Sequence, residues 1–111
     1  MIGIDIIEIS RFEKMENFDG FLTKYFCQSE IAYINGKGAG KFAAAAGIFC
    51  AKEAAAKALG TGFAGFLPKD IEISHTENGA PYSVFRGIRF EISISHCREY
   101  ATAVALTTND K

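Results

Sequence analysis

The stretch that decides the fold is "KFAAAAGIFCAKEAAAKALG" at residues 41–60. Alanine has the highest helix propensity and glycine commonly ends helices, so the stretch predicts one long helix that stops at Gly60. One face of that helix carries Ile48, Ala51, Ala55, Ala58 and Leu59. Because most of these side chains are small, we expect the face to lie close against a sheet or another helix.

The residues that follow the helix show the alternation of β-strands. In "IRFEISIS" at 88–95, apolar side chains occupy every second position, which places them on one face of a strand. "YATAVAL" at 100–106 predicts a last strand with a small-residue face, and "DIEIS" at 70–74 predicts another strand. The Asn78-Gly79 pair is a hairpin signal. The second half of the chain therefore predicts an antiparallel sheet.

Ahead of the helix, "MIGIDIIEIS" at residues 1–10 predicts a strand over 2–9. Both faces of this strand are largely apolar, so we expect it to be covered on both sides. Asp5 lies in its middle, and an unpaired carboxylate there is costly because desolvation disfavours the charged form. Asp5 therefore needs a partner, which is a cation, a set of backbone N–H groups or a metal ion.

Short helices are predicted between this strand and the long helix. Ser10 is placed to cap the first, with Glu13 three residues later as in a capping box. Helical spacing recurs among the apolar side chains of 21–26, and Ser29 is placed to cap a further helix that Gly36 stops.

The Gly-rich segment "NGKGAG" at 35–40 lacks the GK[ST] ending of a P-loop, and we interpret it as a flexible connection. One strand, then helices, then an antiparallel meander is an α+β pattern. The length favours a single domain over 1–111, with an antiparallel sheet packed against the long Ala-rich helix and the short helices.

The bulk composition narrows the function classes. The 111-residue chain has a net charge of −1, which gives no overall attraction to nucleic acid or to an anionic membrane. No apolar run reaches the roughly 18 residues of a membrane span, and the N-terminal run lacks the basic leader of a signal peptide. The three widely spaced cysteines are typical of reduced thiols. We therefore expect a cytoplasmic protein.

Lys52, Glu53 and Lys57 are charged side chains in the otherwise apolar long helix. Glu53 and Lys57 are one turn apart, and one interpretation is an ordinary solvated ion pair. The other is a carboxylate beside an ammonium group, suited to a phosphate with its Mg²⁺ ion, because Mg²⁺ takes few protein carboxylates and uses phosphate oxygens as ligands. If Asp5 on its strand meets Glu53 on the helix, a divalent cation would relieve their repulsion.

Two histidines are further candidates. His96 follows the strand over 88–95. It is either a surface side chain at a strand end, or a functional group that donates a hydrogen bond to a phosphate or carries a proton near neutral pH. His75 precedes the predicted hairpin turn, and we interpret it as structural or exposed. No convincing Ser-His-Asp or Cys-His arrangement of a nucleophilic enzyme is present in the sequence.

Four segments together resemble the holo-acyl-carrier-protein synthases, the small bacterial-type 4′-phosphopantetheinyl transferases. They are "GIDIIEISRFE", "FAAAAGIFCAKEAAAKALGTGF", "DIEI…ENGAP" and "SISHCREYATAVA", in the family's order over nearly the whole chain. The resemblance implies Mg²⁺-dependent transfer of the 4′-phosphopantetheine arm from coenzyme A to a serine of an apo acyl carrier protein. Adenosine 3′,5′-bisphosphate would be released, and fatty-acid biosynthesis would be supported. It also implies a homotrimer with active sites between neighbouring subunits.

The resemblance implies roles for single residues. Asp5 and Glu53 match the metal-binding acids, and Lys57 matches a lysine placed to hold a phosphate of coenzyme A; these three form the expected catalytic set. The other expected coenzyme A-binding positions are Gly60, Thr61, Gly62, Ser95 and His96. The nucleophilic serine would come from the carrier, and its proton would pass either to Glu53 or to a metal-bound water.

Docking of the acidic carrier is expected to use basic side chains. Arg11 matches a carrier-contacting arginine, and Lys14 and Lys24 are placed to assist, although all three also fit ordinary solvated charges. The chain departs from the family pattern at Ile48, where arginine is usual, and at Cys50, where alanine is usual. The third departure is alanine at position 80 in place of lysine. These changes bear on substrate affinity and carrier choice more than on the reaction type.

Three hypotheses follow for the function. The first is the transferase, the second is a module of the same fold that binds coenzyme A or a carrier without transferring the arm, and the third is an unrelated structural domain. Intact Asp5, Glu53 and Lys57 favour the first, whereas Ile48 is the best support for the second. The sequence leaves open which carrier is modified, whether acyl-coenzyme A is accepted and whether Mn²⁺ replaces Mg²⁺.

Overall fold

The computed structural model describes residues 1–107, so the last four residues of the predicted domain, 108–111, lie outside the described part. A five-stranded antiparallel sheet is combined with four α-helices in the described chain. The strands are β1 (Ile2–Glu8), β2 (Ser74–His75), β3 (Pro81–Phe85), β4 (Ile88–His96) and β5 (Tyr100–Thr107). The helices are α1 (Ser10–Glu13), α2 (Phe18–Tyr25), α3 (Gln28–Asn35) and α4 (Lys41–Leu59), with 3₁₀ turns at Gly38–Gly40 and Pro68–Asp70. The α+β prediction is confirmed.

The sheet has the strand order β1-β5-β4-β3-β2, so the N-terminal strand pairs with the last one. Asp5 of β1 lies opposite Ala103 of β5, which in turn lies opposite Ile94 of β4. Helix α4 lies across β1, β5 and β4 on one face of the sheet. The alanines 101, 103 and 105 of β5 are buried beneath it, as the predicted small-residue face requires.

Helix α4 confirms the long helix predicted from residues 41–60. Gly60 ends it in the left-handed conformation with φ of 82°, and its N–H donates to the Lys57 carbonyl oxygen. Close approach to β1 depends on Gly3, because a Cβ atom there would overlap the carbonyl oxygen of Ala54. Small residues on both elements therefore bring β1 and α4 into contact, which places strand and helix side chains within reach of each other.

The short helices cover the side of α4 that faces away from the sheet. Together with α4 they form an aromatic cluster whose contacting rings have centroids 4.6 to 6.4 Å apart. Its members are Phe12, Phe18, Phe21, Tyr25, Phe26, Phe42 and Phe49. Most of the α4 surface is therefore buried in the single chain.

Two capping predictions are wrong. Helix α1 begins at Ser10, with Ile9 rather than Ser10 at the N-cap and no side-chain cap. Helix α3 has Cys27 rather than Ser29 at its N-cap, where the Cys27 N–H donates to Glu30 Oε1 at 2.9 Å. Ser29 instead donates its hydroxyl to Glu72. Gly36 follows α3 as predicted.

Strand β1 is covered on only one face within the single chain. Gly3 and Ile7 are buried against α4, and Asp5 lies between them. The opposite face, which carries Ile2, Ile4 and Ile6, is exposed, with Ile4 at 62%. Cover on both faces, which the sequence predicts, would therefore require a surface outside this chain.

Candidate active site

Asp5 and Lys57 form an ion pair between β1 and α4. Lys57 Nζ lies 3.1 Å from Asp5 Oδ1 and also donates to the Ile4 carbonyl oxygen at 3.1 Å. The Asp5 side chain is 18% exposed and that of Lys57 is 53% exposed, so solvent reaches the pair from the lysine side. Of the three partners that the sequence allows for Asp5, the single chain supplies the cation.

Glu53 lies beside this pair and has a perturbed carboxyl group. Burial raises the pKa of Glu53, and the negative charge of Asp5 raises it further, whereas Lys57 opposes the shift. The structure therefore brings the three predicted catalytic side chains together. Two mutually repelling, part-buried carboxylates next to an ammonium group define a site that favours additional positive charge.

This donor set fits a magnesium ion. Within residues 1–107, no cluster of three or more His, Cys, Asp or Glu side chains is arranged to hold a metal by itself. Mg²⁺ does not need such a cluster, because it is commonly held by one or two carboxylates, with substrate phosphate oxygens and water as the other ligands. Asp5 and Glu53 are the residues that would hold it.

Cys50 is the buried thiol nearest to this site. Its Sγ donates to the Ala101 carbonyl oxygen at 3.4 Å. Burial, and then the charge of Asp5, raises the pKa of the Cys50 thiol to about 12. Because the thiol stays protonated at neutral pH, Cys50 fits a packing role beside the carboxylates better than that of a nucleophile or a metal ligand.

Behind the site, Lys52 and Glu30 form a fully buried ion pair. Lys52 Nζ lies 2.7 Å from Glu30 Oε1 and donates to the carbonyl oxygens of Pro68 at 2.9 Å and Ile71 at 2.7 Å. Glu30 also accepts the N–H groups of Cys27 and Ile73. Burial lowers the pKa of Lys52, and Glu30 opposes that shift. Through these hydrogen bonds, the buried pair links the chain that follows α4 to the start of α3.

The predicted glycine turn directly follows α4. Gly60 and Gly62 both have positive φ values, 82° and 60°, and Thr61 between them is exposed. The turn begins three residues after Lys57, so the last turn of α4 places it near the Asp5–Lys57 pair. The turn thus directly follows the helix that carries Glu53 and Lys57, and the Gly60 N–H donates to the Lys57 carbonyl oxygen.

His96 lies in a separate cleft of about 430 Å³. The cleft is open between the first half of α4, the end of β4 and the β2–β3 hairpin. Its polar side chains are Tyr33, Lys37, His75 and His96, and its apolar wall includes Ile48, Pro81 and Ile94. Asp5, Glu53 and Lys57 do not line it, so one chain does not join His96 to the carboxylates. Ser95, next to His96, is exposed.

The cleft contains residues whose grouping the sequence does not reveal. The Tyr33 and His75 rings stack with centroids 4.4 Å apart, and Lys37 Nζ lies 4.6 Å from the Tyr33 ring centroid. Burial, and then the charge of Lys37, lowers the pKa of His75. His75 is thus partly buried in a contact with a residue 42 positions away, for which no local sequence signal exists.

The predicted docking residues lie on the short helices. Arg11 belongs to α1, and Lys14 follows that helix directly; both are exposed. Lys24 is in the last turn of α2, with Nζ 5.4 Å from the Tyr25 ring centroid. All three side chains are exposed to solvent in the single chain.

Comparison with known proteins gives a consistent family assignment. The family model for the 4′-phosphopantetheinyl transferase superfamily matches residues 1–105. A holo-[acyl-carrier-protein] synthase of Fusobacterium nucleatum subsp. nucleatum is 43% identical over 95% of this chain and 95% of its own length. The corresponding synthase of Clostridium beijerinckii is 44% identical over 95% of this chain and 94% of its own.

Solved structures of such synthases share the fold. The Helicobacter pylori synthase in complex with coenzyme A matches with a TM-score of 0.86 and 34% identity over 97% of this chain and 100% of that one. The Bacillus anthracis synthase in complex with CoA (3′,5′-ADP) matches with a TM-score of 0.85 and 38% identity, covering 96% and 93%.

A family match over nearly the whole chain, together with the shared fold, shows that the chain belongs to the 4′-phosphopantetheinyl transferase superfamily. Within that superfamily it is an enzyme of the holo-[acyl-carrier-protein] synthase type. No helix among residues 1–107 is both long and apolar enough to cross a bilayer.

Proposed function

We propose that this enzyme transfers 4′-phosphopantetheine from coenzyme A to a serine of an apo acyl carrier protein, in support of fatty-acid biosynthesis in the cytoplasm. The serine oxygen would form a new bond to the phosphorus that carries pantetheine, and the pyrophosphate bond would break. Adenosine 3′,5′-bisphosphate would leave, and the serine proton would pass to a base. The observation that carries the proposal is the convergence of Asp5, Glu53 and Lys57, because such a reaction is mostly positioning and stabilisation of negative charge.

Asp5 and Glu53 are the residues that would hold Mg²⁺. When bound there, the ion supplies positive charge that stabilises the negative charge of a pyrophosphate. Lys57 is exposed enough to exchange part of its contact with Asp5 for a contact with a phosphate oxygen. The glycine turn at 60–62 would let the backbone approach the nucleotide closely, since no side chain stands in the way at Gly62.

We further propose a homotrimer whose active sites lie between subunits. Two observations support it. The outward face of β1 and β5 presents a contiguous apolar strip of exposed side chains, Ile2, Ile4, Ile6 and Leu106, and such strips mark interaction sites. In addition, His96 lies in a cleft that lacks the carboxylates, so a neighbouring copy could bring the two half-sites together. Ser95 and His96 would then contribute to the coenzyme site of the adjacent subunit.

Carrier binding is proposed for the exposed basic residues of the helical layer, Arg11, Lys14 and Lys24. Acidic partners are attracted by such charges mainly through faster association, which weakens as salt increases. Charge-reversal of Arg11 should therefore raise KM for the carrier more than KM for coenzyme A.

The deciding experiment measures the intact mass of an apo acyl carrier protein after incubation with this enzyme, coenzyme A and Mg²⁺. A chelated sample serves as control, and several carriers are tried. A metal-dependent mass gain of one phosphopantetheine is the expected result. Absence of that gain with every carrier, while coenzyme A still binds, would favour a binding module of the same fold and direct attention to Ile48→Arg.

The proposed trimer has its own test in the substitution Ile4→Glu. A charge in the middle of the exposed strip would have to be buried in the assembly, so we expect light scattering to report monomers at micromolar concentration. Leu67→Glu is the matched control, because Leu67 is similarly exposed at 59% but lies outside the sheet. A wild-type monomer would contradict the shared site.

A further inference from the structure

The turn between β3 and β4 has an unfavourable residue. Phe85 pairs with Ile88, so Arg86 and Gly87 form a two-residue hairpin loop, and both have positive φ values of 52° and 79°. Such turns favour Asn-Gly, because in the left-handed region the Cβ atom lies too close to the following carbonyl oxygen, a cost that glycine avoids and that the short polar side chain of Asn offsets by local hydrogen bonding. Within residues 1–107, Arg86 is the only non-glycine residue with positive φ. Its side chain is therefore expected to have a compensating role.

The Arg86 guanidinium group contacts segment 61–67, which overlaps the glycine turn at 60–62. Its Cζ atom lies 5.3 Å from the Phe66 ring centroid and 4.9 Å from that of Phe85, which is the geometry of cation–π contacts. One guanidinium N–H donates to the Gly65 carbonyl oxygen at 3.4 Å. The Phe66 and Phe85 rings also contact each other, with centroids 4.7 Å apart. Arg86 thus covers the junction between this segment and the sheet.

The contacted segment, 61–67, has little regular structure of its own. Gly62 and Gly65 both have positive φ values, and the segment lies between the end of α4 and the 3₁₀ turn that starts at Pro68. Phe63 contacts Phe66 with ring centroids 5.4 Å apart. The position of the segment therefore depends on the chain Phe63–Phe66–Phe85 and on the Arg86 contacts that close it.

We propose that Arg86 is a positioning residue for coenzyme A binding, because it holds the segment that begins with the glycine turn at 60–62. The inference rests on the proposed function of that turn. Arg86 does not contact the coenzyme in this mechanism; it keeps the binding turn in its competent arrangement. When a binding-competent state is only partly populated, the apparent affinity falls by that fraction. Loss of the side chain should thus weaken coenzyme A binding without changing the reacting groups.

The test compares Arg86→Asn with Arg89→Asn in the full-length enzyme. Asparagine suits the left-handed turn, so Arg86→Asn should keep or raise the melting temperature. We expect KM for coenzyme A and its calorimetric Kd to rise about threefold to tenfold, with kcat nearly unchanged. Amide hydrogen exchange of 61–67 should accelerate. Arg89 pairs with Glu91 and Tyr82 on the same hairpin, so its variant makes the same charge change away from the segment.

The outcomes separate this inference from the proposed function. Unchanged KM and Kd in Arg86→Asn, together with an active wild-type enzyme, would overturn the positioning role and leave the transferase intact. Equal effects of both variants would also overturn it, since they would indicate a general effect of charge. A wild-type chain that binds coenzyme A but transfers nothing would overturn the proposed function, and the Kd and exchange data would still decide the role of Arg86.

Discussion

Lys57 Nζ lies 3.1 Å from Asp5 Oδ1, and this contact joins the last turns of α4 to the middle of β1. The same ammonium group donates a second hydrogen bond to the Ile4 carbonyl oxygen. Ion pairs with an exposed partner contribute only about 0–1 kcal/mol to stability. The pair therefore contributes little to the folding free energy. Its main effect is to hold a positive charge next to two carboxylates.

Substitution of Lys57 by methionine separates these two roles. Lys57→Met should change the free energy of unfolding by less than about 1 kcal/mol, because the pair is solvent-accessible. It should lower kcat/KM for coenzyme A by about tenfold to a hundredfold, since a charge-assisted contact to phosphate is lost. Urea denaturation and steady-state kinetics measure the two effects. Lys69→Met, an exposed lysine of the nearby 3₁₀ turn, is the control; equal kinetics in both variants would refute a role for Lys57.

Asp5→Asn tests the carboxylate pair. The variant keeps the shape of the side chain but removes one negative charge, so kcat should fall by about a hundredfold or more at a fixed Mg²⁺ concentration. The Mg²⁺ concentration that gives half-maximal activity should rise, and direct Mg²⁺ titration calorimetry in the presence of coenzyme A should show weaker binding. The melting temperature should stay near that of the wild type or increase, because Glu53 loses a repelling neighbour. Normal turnover in Asp5→Asn would contradict the site assignment.

Lys52→Met should destabilise the fold mainly through Glu30, whose carboxylate would stay buried without its partner. Both side chains of the Lys52–Glu30 pair are fully buried, and removal of one partner leaves an uncompensated buried carboxylate. We expect a loss of about 3–5 kcal/mol in the free energy of unfolding, measured by urea denaturation.

The double variant Lys52→Met, Glu30→Gln provides the check on this explanation. Glutamine keeps one oxygen for the N–H groups of Cys27 and Ile73 but carries no charge. It should recover part of the lost stability, whereas a double variant as unstable as Lys52→Met alone would mean that packing around Lys52, not the buried charge, is responsible. Lys69→Met again serves as the surface control.

The features that the sequence predicts correctly are local. Helix propensity and a terminal glycine define α4 to within a residue, and period-two alternation identifies β4 and β5, because both signals depend on neighbouring residues. The need of Asp5 for a partner also follows from its own strand. The burial of Lys52 is not among these predictions, although its position four residues after Ile48 and three before Ala55 on the predicted inner face is a local signal for it.

The features that the sequence does not predict depend on residues far apart in the chain. The partner of Lys52 is 22 positions earlier, and the choice of Lys57 as the partner of Asp5 requires the register of β1 against α4. The two predicted cap positions are wrong because several residues near each helix start are capable of capping, and tertiary contacts select among them. Ser29, for example, bonds to Glu72 instead.

His75 gives a prediction of pH dependence. Burial against Tyr33 and the charge of Lys37 lower its pKa in the folded state below the ordinary 6.5. Between the folded pKa and 6.5, the unfolded chain therefore binds more protons than the folded chain. The contribution of His75 to stability is complete above pH 6.5 and is lost as pH falls through the folded pKa.

An NMR titration of the histidine ring protons, assigned with His96→Gln, should give a midpoint for His75 below 6.5. Lys37→Met should raise that midpoint but leave it below 6.5, because burial, the larger cause, remains. A midpoint that does not move would show that Lys37 does not act on His75, and one above 6.5 in the wild type would contradict the stacked arrangement of the cleft.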